Sequence, residues 1–220
     1  YLAGILSYFK KFRVLLGVVH EHNVLNRVTR KLFVTFWRKQ IVLAGVSDSV
    51  VDDIARRCPH LAEQERLFCL PNVLSSEFSG HMRDRIQARA ELNLSESDFV
   101  VGTIGRLVQK KSLPTLLKAF AIGDKDGLQG RLVIVGDGPV RAELEALAVD
   151  LGVATKILFV GHLANAGYFA SLFDVFVLAS GEDEAFGIVL LEAMMAKVPV
   201  ITSAAKGPAA VVAQPQWQFK

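Results

Sequence analysis

From residue 99 onward, short runs of Val, Ile and Leu alternate with stretches that have the periodicity of helices. The runs are almost unbroken by polar residues, which is typical of parallel strands that helices cover on both faces. This alternation predicts an α/β protein with a doubly wound sheet. The predicted strands are Phe99–Ile104, Arg131–Val135, Lys156–Val160, Val175–Leu178 and Pro199–Thr202, and the predicted helices are Leu113–Ile122, Pro139–Leu151, Ala166–Phe173 and Ile188–Ala196.

Residues 1–75 carry a shorter version of the same pattern. The polar stretch 76–97 has no strand pattern and is predicted to connect two Rossmann-like domains, which occupy residues 1–75 and 98–220. The predicted strands of the first domain are Val14–His20, Ile41–Val46 and Leu67–Leu70, and its predicted helices are Asn23–Lys39 and Ser49–Arg57.

Both ends of the chain are expected to be cut. The sequence starts at Tyr1 without Met, which suggests that residues upstream are absent. The last dozen residues, 209–220, are not expected to complete a further βα unit. We therefore expect only the C-terminal part of the first domain, and a second domain that is incomplete at its C-terminus.

Composition and charge argue against several classes of protein. A net charge of +3 is too small to indicate nucleic-acid binding, and two cysteines make neither a disulfide framework nor a zinc site. The longest apolar runs are far too short to span a bilayer, and the start of the chain is no signal peptide. A cytoplasmic protein is therefore expected, with the inner face of the membrane as a second location to consider.

The first forty residues form a basic segment, with eight Lys or Arg residues and one acidic residue. Such a segment suits an anionic membrane or an anionic acceptor, and a pair of solvated helices explains it equally well. The helix predicted within it bears Phe33, Phe36 and Trp37, which are compatible with a lipid-linked acceptor. The simpler interpretation is that these aromatic side chains pack in the core of the first domain.

Candidate ligand-binding residues follow the predicted strands, because ligands of open α/β sheets bind outside the carboxyl ends of the strands. Gly105 permits a sharp turn after the first strand of the second domain. Arg106 offers a planar fork for phosphate oxygens, and Lys111 a flexible point charge. Together these cations are suited to a diphosphate, although ordinary surface cations are the alternative.

Two other motifs are interpreted as turns or loops. Gly136-Asp137-Gly138-Pro139 lacks the third glycine and the later acidic residue of an NAD fingerprint, so we predict a tight turn near a ligand. The tripeptide Asp124-Lys125-Asp126 spells a metal-binding Asp-x-Asp, but it follows a helix and lies at the wrong end of a strand. The sequence therefore predicts no metal site there.

The segment Ser180-Gly-Glu-Asp-Glu-Ala-Phe-Gly-Ile-Val-Leu-Leu-Glu192 combines an acidic loop with the start of a helix near Gly187. Unpaired N–H groups at a helix start suit a phosphate. Glu192 lies one turn into the helix, where its carboxylate is suited to accept hydrogen bonds from ribose hydroxyls. Glu184 is suited to the hydroxyls of a transferred sugar, although its alternative role is only to complement the helix dipole.

Taken together, these segments resemble the family-4 retaining glycosyltransferases of the GT-B type, also called glycosyltransferase group 1. The resemblance rests on two glutamates separated by seven residues with Phe-Gly between them, and on further segments that occur in the family's order. Those segments are Gly105-Arg106-Leu107 with Lys111, Val135-Gly136-Asp137-Gly138-Pro139, Phe159-Val160-Gly161, and Leu191-Glu192-Ala193-Met194 leading to Pro199-Val200-Ile201.

The resemblance assigns roles by position. It implies that Arg106 and Lys111 bind the nucleotide diphosphate, that Glu184 meets the donor sugar, and that Glu192 binds ribose. His20, in Val18-Val19-His20-Glu21, resembles a histidine delivered into the interdomain cleft. The residues implied to be catalytic are Arg106, Lys111, Glu184 and His20, and those implied to bind the donor are Gly105, Arg106, Lys111, Gly136, Glu184, Ala185, Phe186, Gly187, Ile188, Val189 and Glu192.

The implied activity is transfer of a hexosyl group from a nucleoside-diphosphate sugar to a glycan or lipid-linked acceptor, in bacterial envelope glycan or lipopolysaccharide assembly. No metal or other cofactor and no nucleic acid is expected. The family's N-terminal glycine-rich loop is absent from the chain, and Ser112 stands where the family usually has glycine. The alternative is therefore a degenerate, non-catalytic nucleotide-binding or interaction module. Nothing in the sequence indicates the base or the sugar of the donor.

Overall fold

The computed structural model describes residues 13–219, so Lys10 and Lys11 of the basic segment lie outside the described residues. The chain divides into two compact units, and the boundary lies between Asn72 and Val73. The first unit contains a three-stranded parallel sheet of order β1-β2-β3. Its strands are β1 (Leu15–Val19), β2 (Ile41–Gly45) and β3 (Leu67–Cys69), and its helices are α1 (Val28–Phe36), α2 (Asp48–Arg57) and α3 (Pro59–Glu63).

The helices of the first unit begin where the local sequence favours a start. Asp48 stands in the first turn of α2 and Arg57 in its last, which complements the helix dipole. Val50 and Ile54, four residues apart, are buried on one side of α2. The single helix predicted over residues 23–39 is shorter, because Asn23 adopts a left-handed conformation and a 3-10 turn at Val24–Asn26 precedes α1.

The second unit contains a six-stranded parallel sheet of order β6-β5-β4-β7-β8-β9. Within the unit this is the order 3-2-1-4-5-6, which is that of a dinucleotide-binding fold. Its strands are β4 (Val100–Ile104), β5 (Arg131–Val135), β6 (Ile157–Gly161), β7 (Val175–Leu178), β8 (Val200–Ser203) and β9 (Gln218–Phe219). Its α-helices are α4 (Arg85–Glu91), α5 (Leu113–Lys125), α6 (Arg141–Asp150), α7 (Ile188–Met195) and α8 (Lys206–Val211).

Successive residues of the second sheet pack into two separate apolar clusters. Along β5, Val133 and Val135 belong to one cluster, while Leu132 and Ile134 belong to the other. Because successive side chains of a strand point to opposite faces, helices cover both faces of the sheet. The doubly wound α/β fold predicted from the unbroken apolar runs is therefore confirmed.

Two segments differ from the sequence-based expectation. Residues 76–97 contain a 3-10 helix at Ser76–His81 as well as α4, and both cluster with the second unit. The expectation that residues 209–220 add no βα unit is wrong, since α8 leads into β9 and β9 pairs in parallel with β8. A two-residue strand is too short to leave a periodic apolar pattern in the sequence.

The strand order reverses between β4 and β7, which are neighbours in the sheet although β5 and β6 separate them in sequence. The loops after β4 and β7 therefore lie side by side at this point of the sheet. In doubly wound folds this switch point is where a ligand binds.

Candidate functional site

Three glycine turns meet at the carboxyl ends of β4, β5 and β6. The N–H of Gly136 donates to the carbonyl of Gly161 at 2.8 Å, and the N–H of Gly105 donates to the carbonyl of Val135 at 2.9 Å. A Cβ at residue 136 would lie 1.9 Å from the carbonyl oxygen of Gly105, so no side chain fits there. The missing side chain of Gly136 thus lets the turns after β4 and β5 pack backbone against backbone.

Lys111 and Glu184 form an ion pair across the switch point. The Nζ of Lys111 donates to Oε2 of Glu184 at 2.6 Å, and the two side chains are only 16% and 12% exposed. Lys111 ends a 3-10 turn after β4, and Glu184 lies in the loop after β7. A backbone hydrogen bond of 2.8 Å from the N–H of Gly181 to the carbonyl of Lys110 joins the same two loops.

The ion pair determines the charge of Glu184. Burial alone would raise the pKa of Glu184, but the charge and hydrogen bond of Lys111, together with Ser180 and Lys110, hold that pKa below its ordinary value. Glu184 is therefore a carboxylate at neutral pH. A buried carboxylate of this kind is an acceptor for hydroxyl donors.

Arg106 lies beside the same pair. Its side chain is exposed, and with Gly105 and Lys111 it lines a cavity of about 10 Å³. A cavity of that size has room for roughly one water molecule. The structure thus brings together the two cations that the sequence singled out, at the end of β4.

The segment from Ala185 to Val189 forms the start of α7. Ala185 and Phe186 are buried, Gly187 has a φ of 86°, and α7 begins at Ile188. No side chain caps the first turn of α7, and this turn contains no acidic residue. Its N–H groups, including those of Ile188 and Val189, therefore have the polarity that suits an anionic ligand.

Glu192 occupies a different environment from Glu184. Burial raises the pKa of Glu192, and within residues 13–219 its carboxylate contacts neither a cation nor a hydrogen-bond donor. The carboxylate lies against Gly167, in the 3-10 helix Ala166–Leu172 that follows β6. Glu192 does not line the cavity that Arg106 and Lys111 share.

His20 belongs to the first unit, where it is exposed directly after β1. Nearby, Nε2 of His22 lies 3.0 Å from the hydroxyl of Ser49, which in turn lies 2.9 Å from the hydroxyl of Ser47. Over the described part of the chain, no group of three or more His, Cys, Asp or Glu side chains is arranged to hold a metal ion.

The sequence analysis missed two glycines at this site. A Cβ at Gly207, in α8, would lie 2.3 Å from the carbonyl oxygen of Glu184, so α8 packs directly on the loop that carries Glu184. Gly207-Pro208 shortly after a predicted strand was a usable signal for a helix start. Gly167, which contacts Glu192, had no comparable feature in the sequence, because the residues around it have an ordinary helical pattern.

The second unit is a doubly wound α/β domain, and cations and an uncapped helix start at the switch point of such a sheet are typical of domains that bind anionic ligands. The family described as "Glycosyl transferases group 1" matches residues 84–217, which is more than half of the chain. The chain belongs to this family, as the motifs around Glu184 and Glu192 predicted.

Curated relatives match a little more than half of the chain. The lipopolysaccharide core biosynthesis glycosyltransferase LpsD of Rhizobium meliloti is 38% identical over 125 residues, covering 57% of this chain and 35% of LpsD. The N-acetyl-alpha-D-glucosaminyl L-malate synthase of Bacillus anthracis is 34% identical over 121 residues, covering 54% of this chain and 31% of the synthase. The matched segment thus spans about a third of each relative.

Solved structures share the fold. HepE of Anabaena in complex with UDP has a TM-score of 0.80 at 20% identity, covering 99% of this chain and 60% of HepE. WaaG, a glycosyltransferase involved in lipopolysaccharide biosynthesis, has a TM-score of 0.72 at 21% identity, covering 100% of this chain and 67% of WaaG. These similarities confirm the GT-B type of fold.

Proposed function

We propose that this chain binds the donor in a retaining glycosyltransferase that transfers a hexosyl group from a nucleoside-diphosphate sugar to an acceptor hydroxyl. The observation that carries the proposal is the Lys111–Glu184 pair beside Arg106, at the switch point of a chain that belongs to the group 1 family. Complexes of HepE with UDP and with UDP-glucose support the class of donor.

In the proposed reaction, the bond between the anomeric carbon and the diphosphate oxygen breaks while the acceptor oxygen bonds to the same face of the sugar. The departing phosphate takes the proton of the acceptor hydroxyl, so the scheme requires no protein base. Negative charge grows on the diphosphate, and Arg106, Lys111 and the N–H groups at the start of α7 are suited to stabilise it without a metal ion.

The remaining site residues hold the donor in this scheme. Glu184 accepts hydrogen bonds from sugar hydroxyls, and Glu192 from the ribose. Gly105 and Gly136 are proposed to border the phosphates, at the turns after β4 and β5.

Alanine substitutions at the two cations test the proposal. Arg106→Ala and Lys111→Ala are each expected to lower kcat/KM for the donor by a factor that corresponds to roughly 3 kcal/mol, as for loss of one oxyanion donor. The measurement is sugar transfer and donor hydrolysis with a panel of UDP- and GDP-sugars, with the exposed Lys118→Ala as control. A kcat/KM within twofold of wild type in both variants would refute these roles. Nucleotide binding without turnover by the wild type would instead favour the non-catalytic alternative.

We further propose that the protein works in envelope glycan assembly, at the inner face of the membrane. The names of LpsD and WaaG, which refer to lipopolysaccharide biosynthesis, support the first part of this proposal. The described residues contain no helix long and apolar enough to cross a bilayer. On α1, however, Val28, Leu32 and Phe36 are exposed at intervals of four residues, and Lys31 lies among them. An exposed apolar stripe with basic neighbours suits the surface of an anionic membrane.

Vesicle sedimentation tests this membrane contact. Leu32→Glu is expected to reduce binding to vesicles of phosphatidylcholine with phosphatidylglycerol by several-fold, because it places a negative charge in the apolar stripe. Ile122→Glu is the matched control, since Ile122 is as exposed on α5 as Leu32 is on α1, at 62% each. Equal vesicle binding by the two variants would contradict the contact.

A further inference from the structure

The carboxyl group of Glu192 is packed against a glycine. A Cβ at Gly167 would lie 2.6 Å from both Cδ and Oε2 of Glu192 and 3.0 Å from Oε1. Gly167 is itself buried, in the 3-10 helix that follows β6. Real Cβ atoms do not make contacts this short, so any side chain at residue 167 must displace the carboxyl group.

Glycine is needed at residue 167 for space and not for backbone conformation. Gly167 is not among the glycines with a positive φ, so its backbone accepts an alanine without strain. The three nearest atoms that a Cβ would meet all belong to the carboxyl group of Glu192. The flexible end of one side chain is therefore what an alanine would push aside.

The backbone beside Gly167 is anchored by the next residue, Tyr168, so the carboxyl group of Glu192 is the more mobile of the two partners. The carbonyl of Tyr168 accepts a hydrogen bond of 2.8 Å from the N–H of Arg83. The Tyr168 ring packs against Phe78, with centroids 5.0 Å apart, and stacks on His81 at 5.4 Å. Between this anchored segment and α7, the carboxylate of Glu192 has a restricted set of positions.

We propose that Gly167 is a positioning residue for the donor nucleotide, because the space left by its missing side chain fixes the Glu192 carboxylate where it accepts the ribose hydroxyls. The inference rests on the proposed function. It adds a determinant of ribose recognition in the segment after β6, on a different element from the carboxylate that it positions.

Nucleotides with and without ribose hydroxyls test the inference by calorimetry. Wild-type protein is expected to bind UDP or GDP roughly tenfold or more tightly than the 2′,3′-dideoxy form, as for hydrogen bonds to a charged group. Gly167→Ala is expected to remove most of this preference and to leave the Kd of the dideoxy form within twofold of wild type. Gly80→Ala is the matched control, since a Cβ there meets nothing within 4 Å.

The same substitution in a Glu192→Ala variant shows whether Gly167 acts by positioning the Glu192 carboxylate or by a general effect on the structure. In Glu192→Ala protein, adding Gly167→Ala is expected to change the Kd of either nucleotide less than twofold, because the carboxyl group that it displaces is gone. An undiminished ribose preference in Gly167→Ala, or an equal loss of affinity for the ribose and dideoxy forms, would overturn the inference. Failure of wild-type protein to bind any of the diphosphates of uridine, guanosine, adenosine, cytidine and thymidine would overturn the proposed function together with the inference.

Discussion

Glu184 and Glu192 are separated by only seven residues, yet burial affects them in opposite ways. Burial works to raise the pKa of both carboxyl groups, but the Lys111 ammonium holds the pKa of Glu184 below its ordinary value. Glu192 has no such partner among the described residues, and its pKa is raised. The sequence indicated both glutamates, but not this difference, because Lys111 is 73 positions away from Glu184 along the chain.

Removing Lys111 is expected to destabilise the second unit. Lys111→Met leaves the buried Glu184 carboxylate without its cation, which typically costs about 3 kcal/mol of the free energy of unfolding at pH 7. Urea denaturation measures this loss, with the exposed Lys118→Met as control. Adding Glu184→Gln to Lys111→Met is expected to restore part of the stability, because no buried charge then remains.

The same pair gives the stability of the wild type a defined dependence on pH. The folded-state pKa of Glu184 lies below its ordinary value of 4.5, so the stabilisation is fully present above about pH 4.5. It is lost as the pH falls through the folded-state pKa. Without Lys111, burial raises the pKa of Glu184, so the difference between wild type and Lys111→Met should begin to shrink above pH 4.5 and shrink further as the pH falls through the folded-state pKa of the wild type. A difference that stays constant down to strongly acidic pH would contradict the ion-pair account.

At the scale of elements, α4 is anchored by one buried arginine. The Arg89 side chain is 1% exposed, and it donates to the carboxylate of Asp174 at 2.8 Å. Asp174 also accepts a hydrogen bond from the N–H of Val100, so Asp174 joins α4 to the start of β4. The remaining acceptors of the Arg89 guanidinium are the backbone carbonyls of Leu172, Ser95, Glu96 and Asp98.

This anchor explains why residues 76–97 were interpreted as a connection. Sequence analysis recognises a helix by the regular spacing of its apolar residues. That spacing is less clear in a helix that buries an arginine than in one that buries leucines. The hydrogen-bond partners of Arg89 include residues more than 80 positions away, so no local pattern reveals them. By contrast, the strands β4 to β8 were predictable because their unbroken apolar runs are local.

Arg89→Met is expected to lower the free energy of unfolding by about 4 kcal/mol. The substitution leaves buried backbone carbonyls and the Asp174 carboxylate without the donor that they share. Chemical denaturation followed by circular dichroism measures the loss. Arg85→Met is the control, because Arg85 contacts the same carboxylate from a side chain that is 42% exposed. It should cost about 1 kcal/mol or less, as expected for a partly exposed pair. Equal losses in the two variants would show that burial of Arg89 is not what matters.

At the scale of the whole molecule, the sequence predicted the α/β architecture and the glycine-containing loops that follow β4 and β7, but not the strand order that puts a switch point between them. Those predictions succeeded because parallel strands and glycine turns have local signatures. It did not predict β9, which has two residues, or the contact between Gly167 and Glu192. The strand β9 forms through its pairing with β8, and the contact between Gly167 and Glu192 arises from packing between elements that are distant in sequence.

The chain has two tryptophans, and one lies in each compact unit, so each unit carries its own fluorescent reporter. Trp217→Phe leaves Trp37 to follow unfolding of the first unit, and Trp37→Phe leaves Trp217 to follow the second. UDP or GDP at a hundredfold excess over Kd is expected to stabilise the binding unit by about 2.7 kcal/mol. The urea midpoint reported by Trp217 should therefore rise while that of Trp37 stays unchanged, and uridine or guanosine, which lack the diphosphate, should have a smaller effect. A nucleotide-dependent shift at Trp37 of the same size would instead mean that the two units unfold as one cooperative body.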